Sequence, residues 1–167
     1  GTTNIGQNGA VAVLVNGTLA SAVTVSSGAY LGGNGTINNN VQMLGGFAPG
    51  IDKVVAITTN GTSGWYIGTV ANGNLVTMTI NGNLVWNPDG STVNYFHLSD
   101  NSNASDKVVI NGTISSDDDL SSAIIMFDFE DTGYFAGVGT STVYTLLTSN
   151  TDLTTLGLTQ ANFEALD

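Results

Sequence analysis

The sequence predicts an all-β protein whose short strands are separated by tight turns. Glycine accounts for 22 of its 167 residues and proline for only two, while Asn, Thr, Ser and Val are abundant. Val and Thr favour strands, whereas Gly and Asn favour turns. Asn-Gly pairs tolerate the positive φ of tight turns, and they recur at Asn8-Gly9, Asn16-Gly17, Asn34-Gly35, Asn60-Gly61, Asn72-Gly73, Asn81-Gly82 and Asn111-Gly112.

Strand-forming apolar residues recur at every second position between these turns. Alternation with a period of two predicts strands that bury one face. The alternating residues are Val11, Val13 and Val15, then Val23 and Val25, then Met78 and Ile80, and finally Val108 and Ile110. Each of these segments is therefore expected to contribute one side to a core.

An internal repeat suggests how the strands are arranged. The pentapeptide Asn-Gly-Asn-Leu-Val occurs at 72–76 and again at 81–85. A turn followed by an apolar strand, repeated irregularly, is typical of a β-solenoid, in which each coil buries its inward residues against the next. Hairpins in an antiparallel β-sandwich would give the same pattern, and periodicity does not distinguish the two.

We expect one domain over residues 1–167, with two parts of different texture. Residues 1–99 are Gly- and Asn-rich coils in which no charged side chain precedes Asp52, and residues 100–167 hold eleven of the thirteen acids. In the acidic part, the apolar run 123–127 predicts a central strand and 143–147 another strand. Residues 159–166 predict a short C-terminal helix with Thr159 as N-cap, packed through Ala161, Phe163 and Leu166.

Charge and composition exclude several functions. Two lysines face thirteen acids, for a net charge of −11, which is the opposite of what nucleic-acid binding needs. Without cysteine there is no disulfide, thiolate zinc site or cysteine nucleophile. No apolar run reaches the roughly 20 residues of a membrane helix, and no signal-peptide pattern is present, as expected of a mature chain. The scarcity of Lys and Arg favours an extracellular or cell-surface location.

One block of the sequence resembles the passenger-associated strand repeat of bacterial autotransporter proteins. The block runs over 28–37 as Gly-Ala-Tyr-Leu-Gly-Gly-Asn-Gly-Thr-Ile, continues through Val41, and ends over 45–50 as Gly-Gly-Phe-Ala-Pro-Gly. Residues 105–114 and 144–147 are similar to the downstream passenger pattern. The resemblance implies a right-handed parallel β-helix in a bacterial surface protein.

Catalytic residues are not predicted, and we expect that the chain is not an enzyme. His97 is the only imidazole, and it lies in the strand-like segment 95–98 without the sequence patterns of a serine hydrolase or zinc protease. The acids Asp117, Asp118 and Asp119 could pair for glycoside hydrolysis. Consecutive acids in a Ser-rich stretch are more typical of a solvated loop.

Calcium is the one cofactor that the composition allows, because it takes oxygen ligands from loop carboxylates and amides. Two loops offer such ligands, although neither matches the EF-hand pattern. The first contains Asp100, Asn103 and Asp106, and the second contains Asp128, Glu130 and Asp131.

Two functions fit these observations. The first is a self-associating structural subunit of an extracellular filament or surface assembly, whose uncharged N-terminal strands pair with another copy to form a homo-oligomer. The second is a monomeric cell-surface adhesin or carbohydrate-binding module that stacks surface glycans on Trp65, Tyr66 and Trp86. Buried aromatic side chains would argue against the second.

Overall fold

A computed structural model describes most of the chain. The described residues are 1–7, 11–50, 55–59, 62–66, 75–88, 92–99, 104–118, 120–129 and 143–165. Their side chains are described except for those of residues 55–59, 62–66, 122, 127–129 and 165. All later structural statements concern these residues.

The described chain consists of short strands joined by turns and three short 3-10 segments. The strands are β1 (Thr2–Ile5), β2 (Ala12–Leu14), β3 (Thr18–Leu19), β4 (Ala22–Val25), β5 (Tyr30–Gly32), β6 (Thr36–Ile37), β7 (Val41–Met43), β8 (Gly46–Ala48), β9 (Val55–Thr59), β10 (Thr62–Tyr66), β11 (Thr77–Ile80), β12 (Leu84–Trp86), β13 (Val93–Leu98), β14 (Lys107–Ile110), β15 (Ile114–Ser115), β16 (Ile124–Phe129), β17 (Leu147–Ser149) and β18 (Phe163–Ala165). The 3-10 segments are Leu120–Ser122, Leu153–Leu156 and Gln160–Asn162.

The strands form four parallel sheets. Sheet A has the order β1-β4-β7-β12-β15, sheet B the order β2-β5-β8, sheet C the order β17-β14-β11-β6-β3, and sheet D the order β13-β16-β18. Successive strands lie in different sheets, and the chain returns to each sheet in turn. Of the described strands, only the pair β9 and β10 forms an antiparallel hairpin. The parallel pairing agrees with a solenoid-like class and contradicts the antiparallel β-sandwich.

Inward side chains stack from one circuit to the next. Val23 pairs in register with Val41, Val41 with Leu84, and Leu84 with Ile114. All four side chains are at most 3% exposed. Strands in one sheet are about 4.8 Å apart, so each inward side chain contacts its counterparts in the neighbouring circuits. The core is therefore a column of such rungs.

The predicted alternation is confirmed for the inner circuits. Val23, Val25, Met78, Ile80, Val108 and Ile110 are all nearly or fully buried. The first circuit differs, because Val11 is 42% exposed and Val13 is only partly buried. Burial at the edge strands is uneven, since Ile5 on β1 is 3% exposed.

Asn-Gly pairs form the corners of circuits rather than hairpin turns. The described glycines of these pairs, Gly17, Gly35, Gly82 and Gly112, do not have positive φ, contrary to the prediction. Asparagine side chains link the same corner across circuits. Asn81 Nδ2 donates to Asn38 Oδ1 at 2.7 Å, and Asn111 Nδ2 donates to Asn81 Oδ1 at 2.7 Å. The structural counterparts of Asn81 are therefore Asn38 and Asn111.

Glycine is required by close approach at Gly35, Gly82 and Gly112 but not at Gly17, and this difference gives a first testable prediction. A Cβ at Gly35 would meet the carbonyl oxygens of Gly17 and Val15, whereas a Cβ at Gly17 would meet nothing within 4 Å. Gly35→Ala should therefore lower the free energy of unfolding by about 1–3 kcal/mol. Gly17→Ala, the matched control, should be neutral or stabilising by up to about 1 kcal/mol. Urea unfolding followed by circular dichroism measures both, and equal midpoints would contradict the stacking.

The C-terminal prediction is partly wrong. Residues 124–127 of the predicted run do belong to a central strand, since β16 lies between β13 and β18. The predicted strand 143–147 overlaps β17 only at Leu147. The predicted helix is a 3-10 turn, Gln160–Asn162, followed by β18, although Thr159 is its N-cap as expected. Ala161 and Phe163 are exposed, and Asn162 is the buried residue. Leu166 lies outside the described residues.

Candidate functional site

The sole imidazole forms a buried pair with a carboxylate. His97, on β13, lies 2.9 Å from Asp106 through Nδ1 and Oδ2. The same Oδ2 accepts the backbone N–H of His97 at 3.1 Å, and Oδ1 accepts the backbone N–H of Val76 at 2.8 Å. Asp106 is completely buried and His97 is 8% exposed. Both carboxylate oxygens are therefore engaged by donors of the protein itself.

Three segments of the chain meet at this pair. A Cβ at Gly50, just after β8, would meet the Asp106 carboxylate and would lie 2.6 Å from His97 Nδ1. Val76 immediately precedes β11, and Asp106 immediately precedes β14. The pair thus joins the points where the chain leaves β8 and β13 and where it enters β11 and β14.

This geometry indicates that the pair holds neighbouring backbone segments in position. The His97 ring packs edge-on against Tyr95, with ring centroids 5.3 Å apart and an interplanar angle of 83°. Asp128 is the register partner of His97 on β16, and its side chain lies outside those described. A carboxylate that is fully buried and saturated with donors positions its partners, and it offers no accessible oxygen to a substrate.

The predicted calcium ligands are not brought together in the described part of the molecule. Asp106 points into the protein, and its oxygens accept N–H groups, so the structure corrects its assignment as a loop ligand. Asp100, Asn103, Glu130 and Asp131 lie outside the described residues, as does the side chain of Asp128. Across the described ranges, no three His, Asp or Glu side chains are grouped to hold a metal ion.

The aromatic residues predicted to stack glycans divide into two groups. Trp86 is 1% exposed and packs against Phe47, with ring centroids 6.4 Å apart and an interplanar angle of 56°. Its ring continues the rung formed by Val25 and Met43, so Trp86 belongs to the core and presents no face to a sugar. Trp65 and Tyr66 lie on β10, opposite Ala56 and Val55, and their side chains are outside the described ones.

Sequence reasoning missed a buried asparagine that joins two sheets. Asn94 on β13 is completely buried. Its Oδ1 accepts the backbone N–H of Phe47 at 3.0 Å, and its Nδ2 donates to the carbonyl oxygen of Ile124 at 3.2 Å. One amide group thereby connects β8 of sheet B with β13 and β16 of sheet D. The available signal was a polar residue on the same face of the strand as Phe96 and Leu98.

The remaining candidate is a surface, namely the N-terminal edge formed by β1, β2 and β3. These strands are the first members of sheets A, B and C along the stack, and no other described strand pairs with their outer sides. None of their residues is charged, and the same is true of every residue up to Ile51. Uncharged exposed strand edges are templates for pairing with another chain.

Comparisons with protein-family models, curated proteins and solved structures found no match for this chain. Over the described residues, no helix is long and apolar enough to cross a membrane. The function is therefore inferred from the geometry of the molecule itself.

Proposed function

We propose that this protein is a non-catalytic structural subunit of an extracellular or cell-surface assembly, and that it self-associates through its N-terminal edge. In this proposal the four parallel sheets are the sides of a right-handed β-helix. The single observation that carries the proposal is the uncharged edge of β1, β2 and β3, on which no described strand lies.

The physical reason lies in how soluble proteins treat strand edges. Monomers protect exposed edges with lysine, inward-pointing charges, proline or a covering segment. The N-terminal edge contains no charged residue and no proline, since the first proline is Pro49. Pairing with another chain would satisfy the outer N–H and C=O groups of these strands, as occurs when a strand is added to a sheet.

The titratable groups at the centre of the molecule support a structural role. His97 and Asp106 form a buried pair, in which His97 Nδ1 lies 2.9 Å from Asp106 Oδ2. Its donors and acceptors hold segments of the backbone together. A buried, saturated pair of this kind contributes to the specification of a fold.

The resemblance to autotransporter passengers supports the surface location. The block over 28–50 spans β5 to β8, which visit sheets B, C, A and B in succession. A passenger-type repeat would form one circuit of a β-helix in this way. We therefore propose a bacterial-style surface protein.

Particle size tests this proposal directly. Sedimentation velocity at neutral pH, over a wide range of protein concentration, should show species larger than the 17.1 kDa monomer. Negative-stain electron microscopy of the same samples should show the shape of the assembly. A strictly monomeric particle at the highest concentration would contradict self-association and favour the monomeric adhesin or carbohydrate-binding module, which would then depend on Trp65 and Tyr66.

A further inference from the structure

The two ends of the strand stack are covered differently. At the C-terminal end, the segment after β17 packs Leu153, Leu156 and Leu158 against the core. Asp152 begins this segment by accepting the Thr154 hydroxyl at 2.7 Å and the Thr154 N–H at 3.0 Å, and these bonds hold the pKa of Asp152 below its ordinary value. No described strand pairs with the outer sides of the last strands here, β15, β17 and β18, so this segment covers part of the C-terminal end.

A second contact secures the same closure. The N–H of Ile114, at the start of β15, donates to Thr151 Oγ1 at 3.1 Å. The Asn162 side chain donates to the carbonyl oxygens of Leu120 and Ala123, both at 2.8 Å. A polar segment that covers the last circuit is what a solenoid needs at its end.

No described segment closes the N-terminal end in this way. Val13 and Leu19 are only partly buried, whereas the residues stacked on them in the next circuit, Leu31 and Ile37, are completely buried. Val11 is 42% exposed. Two apolar rungs therefore stay partly exposed at this end, whereas Ile5 and Val15 beside them are buried.

The distribution of charge favours a second copy of this chain as the partner of the N-terminal edge. The whole chain carries a net charge of −11, so two copies repel each other over most of their surfaces. Exposed acids such as Asp117, Asp118 and Glu164 lie in the C-terminal third. The N-terminal edge is uncharged and can face an identical surface without any contact between like charges.

We propose that the N-terminal edges of two copies pair with each other around a twofold axis, so that each copy covers the open end of the other. The inference rests on the proposed function and specifies its partner as a second copy of this chain in an end-to-end arrangement. A twofold interface uses the same patch on both subunits, and it makes the paired edge strands antiparallel. Because a twofold interface occupies the same patch on both copies, the product is a closed dimer rather than an open fibre.

A matched pair of valine substitutions tests the location of the interface. Val11 is 42% exposed at the N-terminal end, and Val143 is 76% exposed in the C-terminal part. Val11→Lys would bring like charges together across the axis and should raise the dimer dissociation constant by more than about tenfold. Val143→Lys adds the same charge elsewhere and should leave it unchanged. Circular dichroism and thermal melting establish that both variants fold.

Cross-linking through a single introduced cysteine tests the end-to-end arrangement. The chain itself has no cysteine, so only the introduced one can react. Val11→Cys should be joined into a covalent dimer by a long, flexible thiol-reactive cross-linker, which does not require the two cysteines to lie at the axis, and Val143→Cys should not. Association without a Val11 cross-link, or growth into open polymers, would overturn this inference and leave the proposed self-association intact. A strict monomer would overturn both, and would assign the N-terminal edge to a different occupant.

Discussion

Replacing Asp106 with asparagine should lower the free energy of unfolding by about 3–5 kcal/mol, the cost of removing one partner from a buried, hydrogen-bonded pair. The carboxylate is completely buried. It is hydrogen-bonded to His97 Nδ1, and it accepts the backbone N–H groups of His97 and Val76. The side chain of asparagine has only one oxygen, so its NH2 group would take the place of the other carboxylate oxygen and would face an N–H donor. Either orientation leaves a buried N–H without an acceptor.

Urea unfolding monitored by circular dichroism measures this loss, and the chain offers a matched control. Asp118→Asn removes the same charge from an exposed loop, and it should change the unfolding free energy by no more than about 0.5 kcal/mol. If the two variants unfold at the same urea concentration, the buried pair does not stabilise the fold.

A double-mutant cycle measures the interaction free energy between His97 and Asp106 separately from the contribution of each side chain. His97→Gln should also destabilise the protein, and the double variant with Asp106→Asn should lose less stability than the two single losses combined. The expected coupling is about 0.5–3 kcal/mol, as for residues in one hydrogen-bond network. Strict additivity would show that the two side chains act independently.

Replacing Asn162 should have the second-largest effect, because this amide holds the C-terminal turn against the body. Its Nδ2 donates to the carbonyl oxygens of Leu120, Ser121 and Ala123, and its Oδ1 accepts the N–H of Thr159 at 2.7 Å. Asn162→Ala should cost about 1–3 kcal/mol, since buried carbonyls lose their donor. Asn162→Asp should cost at least about 3 kcal/mol at neutral pH, because a carboxylate would face three carbonyl oxygens.

The order of these two variants distinguishes hydrogen bonding from packing. Aspartate has nearly the same shape as asparagine, so a role in packing alone predicts that Asn162→Asp is the milder change. Asn34→Asp serves as a control at an exposed position and should stay within about 0.5 kcal/mol of the parent. Equal stability of Asn162→Asp and the parent would remove Asn162 from the closure of this end.

Much of the fold could be predicted from local pattern. The alternation of Val23 with Val25, and of Met78 with Ile80, identified residues that are buried in the structure. The run over 123–127 identified a central strand. These predictions succeed because the side-chain period of a strand is fixed by its backbone, whichever sheet the strand enters.

The candidate site was predicted less well, since it depends on which segments meet in space. Asp106 looked like a loop ligand beside Asp100, yet it is the buried partner of His97. Trp86 looked like a stacking platform, yet it is 1% exposed and packs against Phe47. The buried roles of Asn94 and Asn162 left no local signal beyond a polar residue in an apolar setting.

The sequence by itself determined the strand content, the inward faces of the inner circuits and the uncharged first third of the chain. Tertiary structure alone decided that the strands pair in parallel, that Asn-Gly pairs form corners, and that the segment after β17 packs against the core. The physical reason is the separation along the sequence over which each effect acts. Propensity and alternation act over a few residues, whereas pairing, burial and ion pairs join segments such as Val41 and Leu84, whose register the intervening chain does not encode.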